Sequence, residues 1–225
     1  MYKNLIFDFD GTLADTAPLI IATMQATIKE LGLPPRTDKE CKSTIGVRLD
    51  DVPSVLWPEI DCGVPEYTTT YRRIFDTLKD SIKVVAFPDV KNTLNELYNS
   101  GHNMAIATSR GRESLIPLLQ DLGISDYFSF LICGEDVVNG KPAPDPVIKI
   151  LESKGWKADD TLVIGDMEVD ILMAKNAGTQ VCGVTYGNAT REQLESAHPD
   201  YLIDNFKDLL NLCKAHSAKG KVHSA

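Results

Sequence analysis

The run Phe7-Asp8-Phe9-Asp10-Gly11-Thr12-Leu13 restricts the possible folds of this chain more than any other segment. Leu5, Ile6 and Phe7 form a short apolar stretch that stops abruptly at two acids. Residues two apart on a strand point to the same side, roughly 7 Å apart along the backbone. Carboxylates held that close raise each other's pKa or demand a cation between them. Gly11 permits a sharp turn and a close approach of the backbone to a ligand. A strand that ends this way suggests a carboxylate nucleophile, a second carboxyl for proton transfer and a divalent cation serving both. The competing reading is a strand-end Asp that only caps a turn.

Short apolar runs alternate with amphipathic segments along most of the chain. Strands are expected at residues 4–7, 103–107, 128–132, 161–164, 180–184 and 201–203, and helices at 90–99, 113–122, 145–154, 169–177, 191–196 and 206–213. This alternation predicts an α/β fold, a Rossmann-like parallel sheet with helices on both faces. Ligands in such sheets bind beyond the C-terminal strand ends. Residues 17–83 break the pattern and read as helices at 19–31, 49–56 and 67–78, punctuated by Pro34, Pro35, Pro53, Pro58 and Pro65. The expected organisation is an α/β core of residues 1–16 and 84–213 with an all-α domain, 17–83, inserted after the first strand. Hinges would lie at 15–18 and 81–88. The tail, 214–225, is rich in Ala, Ser, Lys and His without core periodicity, and disorder is expected there.

Composition excludes several classes of function. The apolar fraction of 43% and the charged fraction of 24% are those of an ordinary globular protein. No apolar run approaches the ~20 residues that cross a bilayer, so no membrane partner is expected. The first residues lack the basic-then-apolar pattern of an export signal, and a cytoplasmic location is the expectation. The five cysteines are scattered without a CxxC pair, which reads as reduced, mostly buried thiols and not as a zinc site. A net charge of −9 disfavours nucleic acid as a partner. It also repels small phosphate esters at long range, so a metal and a few local Lys or Arg must hold such a ligand. Monomer and homodimer both remain open.

Three later segments carry further candidates. Ile106-Ala107-Thr108-Ser109 reads as a strand ending in hydroxyls. Thr108 would bind a phosphate oxygen, assisted by Ser109 and by the N-terminal amides of a helix opening there. An N-cap with no ligand is the alternative. Arg110 and Arg112 are expected to face solvent, although either has the reach for a substrate. Lys141, stiffened between Gly140 and Pro142, would supply a fixed positive charge. The glycines at 134 and 140 do not make a P-loop, because five residues separate them and Pro142 replaces the required Ser or Thr. Asp166 and Asp170 follow an apolar strand and lie one helical turn apart, so both can face one point. They can equally cap the next helix. Oxygen donors with several carboxylates suit Mg²⁺ together with waters and a substrate phosphate.

These four segments, in this order, resemble the signature motifs of the haloacid dehalogenase-like hydrolase superfamily. The opening Asp10-Gly11-Thr12-Leu13 with Asp15-Thr16, and the late Gly183-Val184-Thr185-Tyr186-Gly187, are most similar to its phosphoglycolate phosphatase-like branch. The resemblance implies that Asp8 is a nucleophile forming an aspartyl-phosphate and that Asp10 is the general acid and base. It implies that Asp8, the Asp10 backbone carbonyl and Asp166 ligate Mg²⁺, with Asp170 orienting waters or Lys141 from behind. The inserted helices would form a cap over the site. Arg48, in the turn Ile45-Gly46-Val47-Arg48-Leu49, would either touch the anionic end of a substrate or be solvated at a helix start. The activity so implied is Mg²⁺-dependent hydrolysis of a small phosphorylated metabolite, 2-phosphoglycolate or a similar monoester. A phosphomutase would share Asp8 and Asp10, but such mutases carry an acid where Gly165 stands. A non-catalytic signalling module phosphorylated on Asp8 is the third reading, against which Asp10 and the insertion speak.

Overall fold

The computed structural model describes residues 2–60 and 63–219. Strand β1 (Asn4–Phe7) is buried along its whole length. A two-residue strand, β2 (Ala14–Asp15), follows, and the chain then leaves the sheet as four helices, α1 (Ala17–Glu30), α2 (Asp38–Ser43), α3 (Val52–Leu56) and α4 (Val64–Leu78). It returns through β3 (Val85–Ala86), antiparallel to β2 with Ala14 beside Ala86. Strand and helix then alternate: α5 (Val90–Asn99), β4 (Asn103–Ala107), α6 (Arg112–Asp121), β5 (Phe130–Ile132), α7 (Asp145–Lys154), β6 (Thr161–Gly165), α8 (Glu168–Asn176), β7 (Gln180–Val184), α9 (Arg191–Ser196), β8 (Tyr201–Ile203) and α10 (Leu209–Lys219).

Six strands form one parallel sheet in the order β5-β4-β1-β6-β7-β8. The two-residue period of a strand explains why both faces are covered. Leu5 and Phe7 point to one face, where Met104, Ile106, Leu162 and Ile164 join them beneath Leu94 of α5, Leu115 of α6 and Leu209 of α10. Ile6 points to the other, with Ala105 and Val163, beneath Val147 of α7, Ile171 of α8 and Leu194 of α9. The register sets Phe7 beside both Ile106 and Ile164, so the apolar rows line up across the sheet. From β1 the order runs outward to β4 and β5 on one side and to β6, β7 and β8 on the other. The reversal places a crevice at the C-terminal end of β1, where Asp8 sits.

The inserted helices have a core of their own, built on Ile20, Met24, Ile28, Cys41, Ile45, Trp57 and Tyr67. Their boundaries differ from the sequence expectation in physical detail. The third expected helix starts three residues early, at Val64, because Pro65 is tolerated in a first turn. The second is shortened to Val52–Leu56, and α2 is additional, held by a capping box in which Thr37 and Glu40 bond reciprocally. The tail expected to lose order from Lys214 instead continues α10 to Lys219, and residues 220–225 lie outside the described residues. No described helix is long and apolar enough to cross a membrane. Cys41, Cys133, Cys182 and Cys213 are buried free thiols, as expected, and Cys62 lies outside the described residues.

Phe7 anchors the first face. Its ring centroid lies 6.0 Å from that of Phe128 and 5.9 Å from that of Phe206. Replacing it by Ala should destabilise the fold by about 3–5 kcal/mol, read as a lower urea midpoint. A loss under about 1 kcal/mol would contradict this packing.

Candidate active site

The site is assembled where four chain segments meet at the sheet edge. The Asp8 amide still donates to the Ile164 carbonyl at 2.9 Å, so β1 extends one hydrogen bond beyond its last residue and fixes the nucleophile candidate. Gly11 then turns with φ +86 against Asp166. A Cβ there would lie 2.2 Å from both Asp166 Oδ2 and Asn188 Nδ2, so backbone angle and space both require glycine. Gly187 closes the same wall, since its Cβ would come within 2.3 Å of the Asp166 Cβ.

Lys141 comes from the loop ahead of α7 and is buried, with its side chain 1% exposed. Its ammonium donates to Asp8 Oδ1 at 2.5 Å and to Asp170 Oδ1 at 2.6 Å. Burial opposes its charge, but the Asp170 and Asp8 carboxylates more than offset this and raise its pKa. Asp170 also accepts from the Met167 amide through Oδ2 at 3.0 Å, so it both caps α8 and holds the lysine. Asp166 does not cap that helix. It accepts from the Thr12 hydroxyl at 3.0 Å and the Asn188 amide at 2.7 Å. Among the described residues, Asn188 Nδ2, buried beside it, has no hydrogen-bond partner.

Asp8, Asp166 and Asp170 offer carboxylate oxygens that all lie within 4.8 Å of one another. Among the described residues, these three acids share one ammonium. The cluster therefore lacks two positive charges, the amount one divalent cation carries. Burial and neighbouring carboxylates push Asp8 well above the usual carboxylate range. Burial and Asp170 push Asp166 up to about 7. Hard oxygen donors, clustered and short of positive charge, fit a small divalent cation.

Asp10 belongs to a different arrangement. Its two oxygens accept from Arg110, Oδ1 from Nη2 at 2.6 Å and Oδ2 from Nε at 3.0 Å. This corrects the expectation that Arg110 faces solvent: its side chain is 8% exposed. The guanidinium lies over the Phe75 ring of α4 at 5.4 Å and over Phe9 at 5.9 Å. The Asp10 side chain thus stands outside the carboxylate cluster, paired with its own cation.

Thr108 is buried and its hydroxyl accepts from the Arg110 amide at 3.1 Å. The helix that follows starts at Arg112, one residue before the expected 113, and the Arg112 amide already donates to Glu135 at 2.8 Å. No helix terminus is therefore free at Ser109. Ser109 instead donates to the Gly46 carbonyl of the insertion at 2.6 Å. Arg48 lies along the same seam, pairing with Asp51 at 3.0 Å and donating to the Val138 carbonyl at 3.0 Å. Arg112 pairs with Asp136. Thr12, Tyr186 and Asn188 went unassigned in the sequence reading. The Tyr186 hydroxyl donates to the Thr12 carbonyl at 2.8 Å. Thr12 and Tyr186 lie in segments that carry the resemblance, which assigns neither a role, and Asn188 carries no signal.

Comparison with known proteins agrees with this fold. The family model for haloacid dehalogenase-like hydrolases matches residues 5–184. A phosphoglycolate phosphatase of Salmonella typhimurium is 32% identical, covering 92% of this chain and 91% of its own. One from Pectobacterium atrosepticum is 33% identical, covering 93% and 92%. The crystal structure of a predicted phosphoglycolate phosphatase from Haemophilus somnus superposes with a TM-score of 0.84 at 26% identity, over 94% of this chain and 98% of that one. With the motifs, the parallel sheet and the acidic cluster in agreement, the chain belongs to the haloacid dehalogenase-like hydrolases.

Proposed function

We propose that this protein is a Mg²⁺-dependent phosphatase that hydrolyses a small phosphate monoester of the 2-phosphoglycolate type through an aspartyl-phosphate on Asp8. The observation that carries the reading is the buried Lys141 ammonium on Asp8 Oδ1, beside the carboxylates of Asp166 and Asp170. The names of the relatives support the substrate class.

Each residue then has a task. Lys141 holds Oδ1 and aims the other oxygen of Asp8 at phosphorus. A new Asp8–phosphorus bond forms as the ester P–O bond breaks, and Asp10 protonates the departing alkoxide. Water then attacks the acyl phosphate, Asp10 takes its proton, and inorganic phosphate leaves with Asp8 restored. Thr108 and Ser109 bind phosphate oxygens. Asp8, Asp166 and the Asp10 backbone carbonyl would hold Mg²⁺, with Asp170 keeping Lys141 in line; the ion supplies positive charge to the transferring phosphoryl group. Helices α1–α4 act as a cap that excludes bulk water during transfer. Arg48, at the seam between cap and core, serves the anionic end of the substrate or the closure of the cap. Gly165, where an acid would mark a mutase, favours net release of phosphate. A Cβ there would meet the Asp170 side chain at 2.3 Å, so an acid cannot be accommodated without moving Asp170.

Asp8→Asn should fold, because Lys141 keeps Asp170, yet lose turnover by on the order of 10⁴-fold or more. Phosphate release within tenfold of the parent, with an unchanged circular dichroism spectrum, would reject Asp8 as nucleophile.

Metal linkage is testable without turnover. Asp8 and Asp166 have folded pKa values above their unfolded ones, so ionising them opposes folding in the metal-free protein. Stability should fall as pH rises from about 4, the unfolded range, through about 7. Mg²⁺ favours the ionised form, so the rise in melting temperature it causes should be larger at about pH 8 than at about pH 5. Equal or absent shifts at both would count against a Mg²⁺ site.

A further inference from the structure

We infer that Arg110 is the specificity-determining residue for the substrate's second anionic group, which it takes in exchange for Asp10. The inference rests on the phosphatase reading above and goes beyond it by naming the receptor.

Four observations converge. First, the Arg110 guanidinium is a ready-made bidentate carboxylate site, since Nε and Nη2 already grip a carboxylate from below. Planar carboxylates bind Arg best in that fork arrangement. Second, the site is roofed by the insertion: Phe75 of α4 lies over the guanidinium, and the half-buried Tyr71, one turn earlier on α4, stacks on Phe75. Movement of α4 is thus what uncovers or encloses an anion there. Third, the other buried cation of the site is committed, because Lys141 bridges Asp8 and Asp170. Arg48 and Arg112 are held by Asp51 and Asp136. Fourth, both Asp10 oxygens accept from Arg110, so turning the Asp10 carboxyl toward a leaving group weakens or breaks the pair.

Leaving Arg110 unpaired under an aromatic roof would be costly. A substrate carboxylate a few bonds from the phosphate removes that cost, because one bidentate pair replaces another. Asp10 is then free to turn toward the ester oxygen. A monoester lacking the second anion offers no replacement, and Asp10 stays on Arg110. Discrimination and release of the proton-transfer group would then be one event.

The test compares kcat/KM for 2-phosphoglycolate with that for 2-hydroxyethyl phosphate, the same skeleton with the carboxylate replaced by an alcohol. The full-length protein with Mg²⁺ should prefer the carboxylate by at least about tenfold. Arg110→Ala should lower the value for 2-phosphoglycolate and collapse the ratio at least about tenfold, with the loss concentrated in KM for 2-phosphoglycolate. Arg110→Lys, which keeps the charge without the fork, should give an intermediate ratio. A ratio unchanged by either variant would show that Arg110 only positions Asp10, and would overturn the inference. Equal rates on both substrates in the parent protein would overturn it too, whether or not the variants fold. Failure of the parent to hydrolyse either monoester would instead sink the phosphatase reading.

Discussion

The structure turns on one ammonium placed between two carboxylates. Lys141 Nζ, Asp8 and Asp170 are all but removed from water. Charges so buried persist only when paired. The lysine therefore ties three distant segments together: the end of β1, the loop before α7 and the first turn of α8. Asp166 adds a third acid with no ammonium of its own, and the pocket is left short of positive charge. That deficit makes the site receptive to a divalent cation and to the phosphoryl group such a cation would accompany. The same imbalance raises Asp8 and Asp166 above ordinary carboxylates.

A second pairing divides the signature acids. Asp8 goes to Lys141 and Asp10 to Arg110, although the two lie only two residues apart. The division matters to the proposed chemistry, in which a nucleophile and a proton carrier need different surroundings. The Asp10–Arg110 pair also binds the helical insertion to the chemistry, through Phe75 over the guanidinium. Two further contacts cross the same seam, Ser109 to Gly46 and Arg48 to Val138. The position of the insertion and the geometry of the site are therefore coupled by specific groups.

Much of this was legible in the sequence because it depends on local pattern. Apolar strands that end in Asp8, Thr108 and Asp166 announce their own positions at a sheet edge, and Gly11 marks a tight turn beside them. Lys141 was readable from its stiff flanks. What escaped depends on partners far along the chain. Arg110 looks like a surface residue until Asp10, a hundred positions earlier, is placed beside it. That the first amide of α6 is already taken depends on Glu135, 23 positions later. Thr12 and Asn188 gain their meaning only from Asp166. Strands β2 and β3 are two residues each, too short for any periodicity. Helix α2 did carry its signal, a Thr37–Glu40 capping box, but its six residues hold too little apolar pattern to stand out.

The most direct test of the account is to find where phosphorus resides during turnover. The protein would be mixed with Mg²⁺ and 2-phosphoglycolate, quenched in acid within the first turnover, digested and examined by mass spectrometry. The account predicts a phosphoryl group on the peptide carrying Asp8, absent from the Asp8→Asn variant. Turnover with no phosphorylated peptide at any quench time, or with phosphorus on another residue, would contradict it.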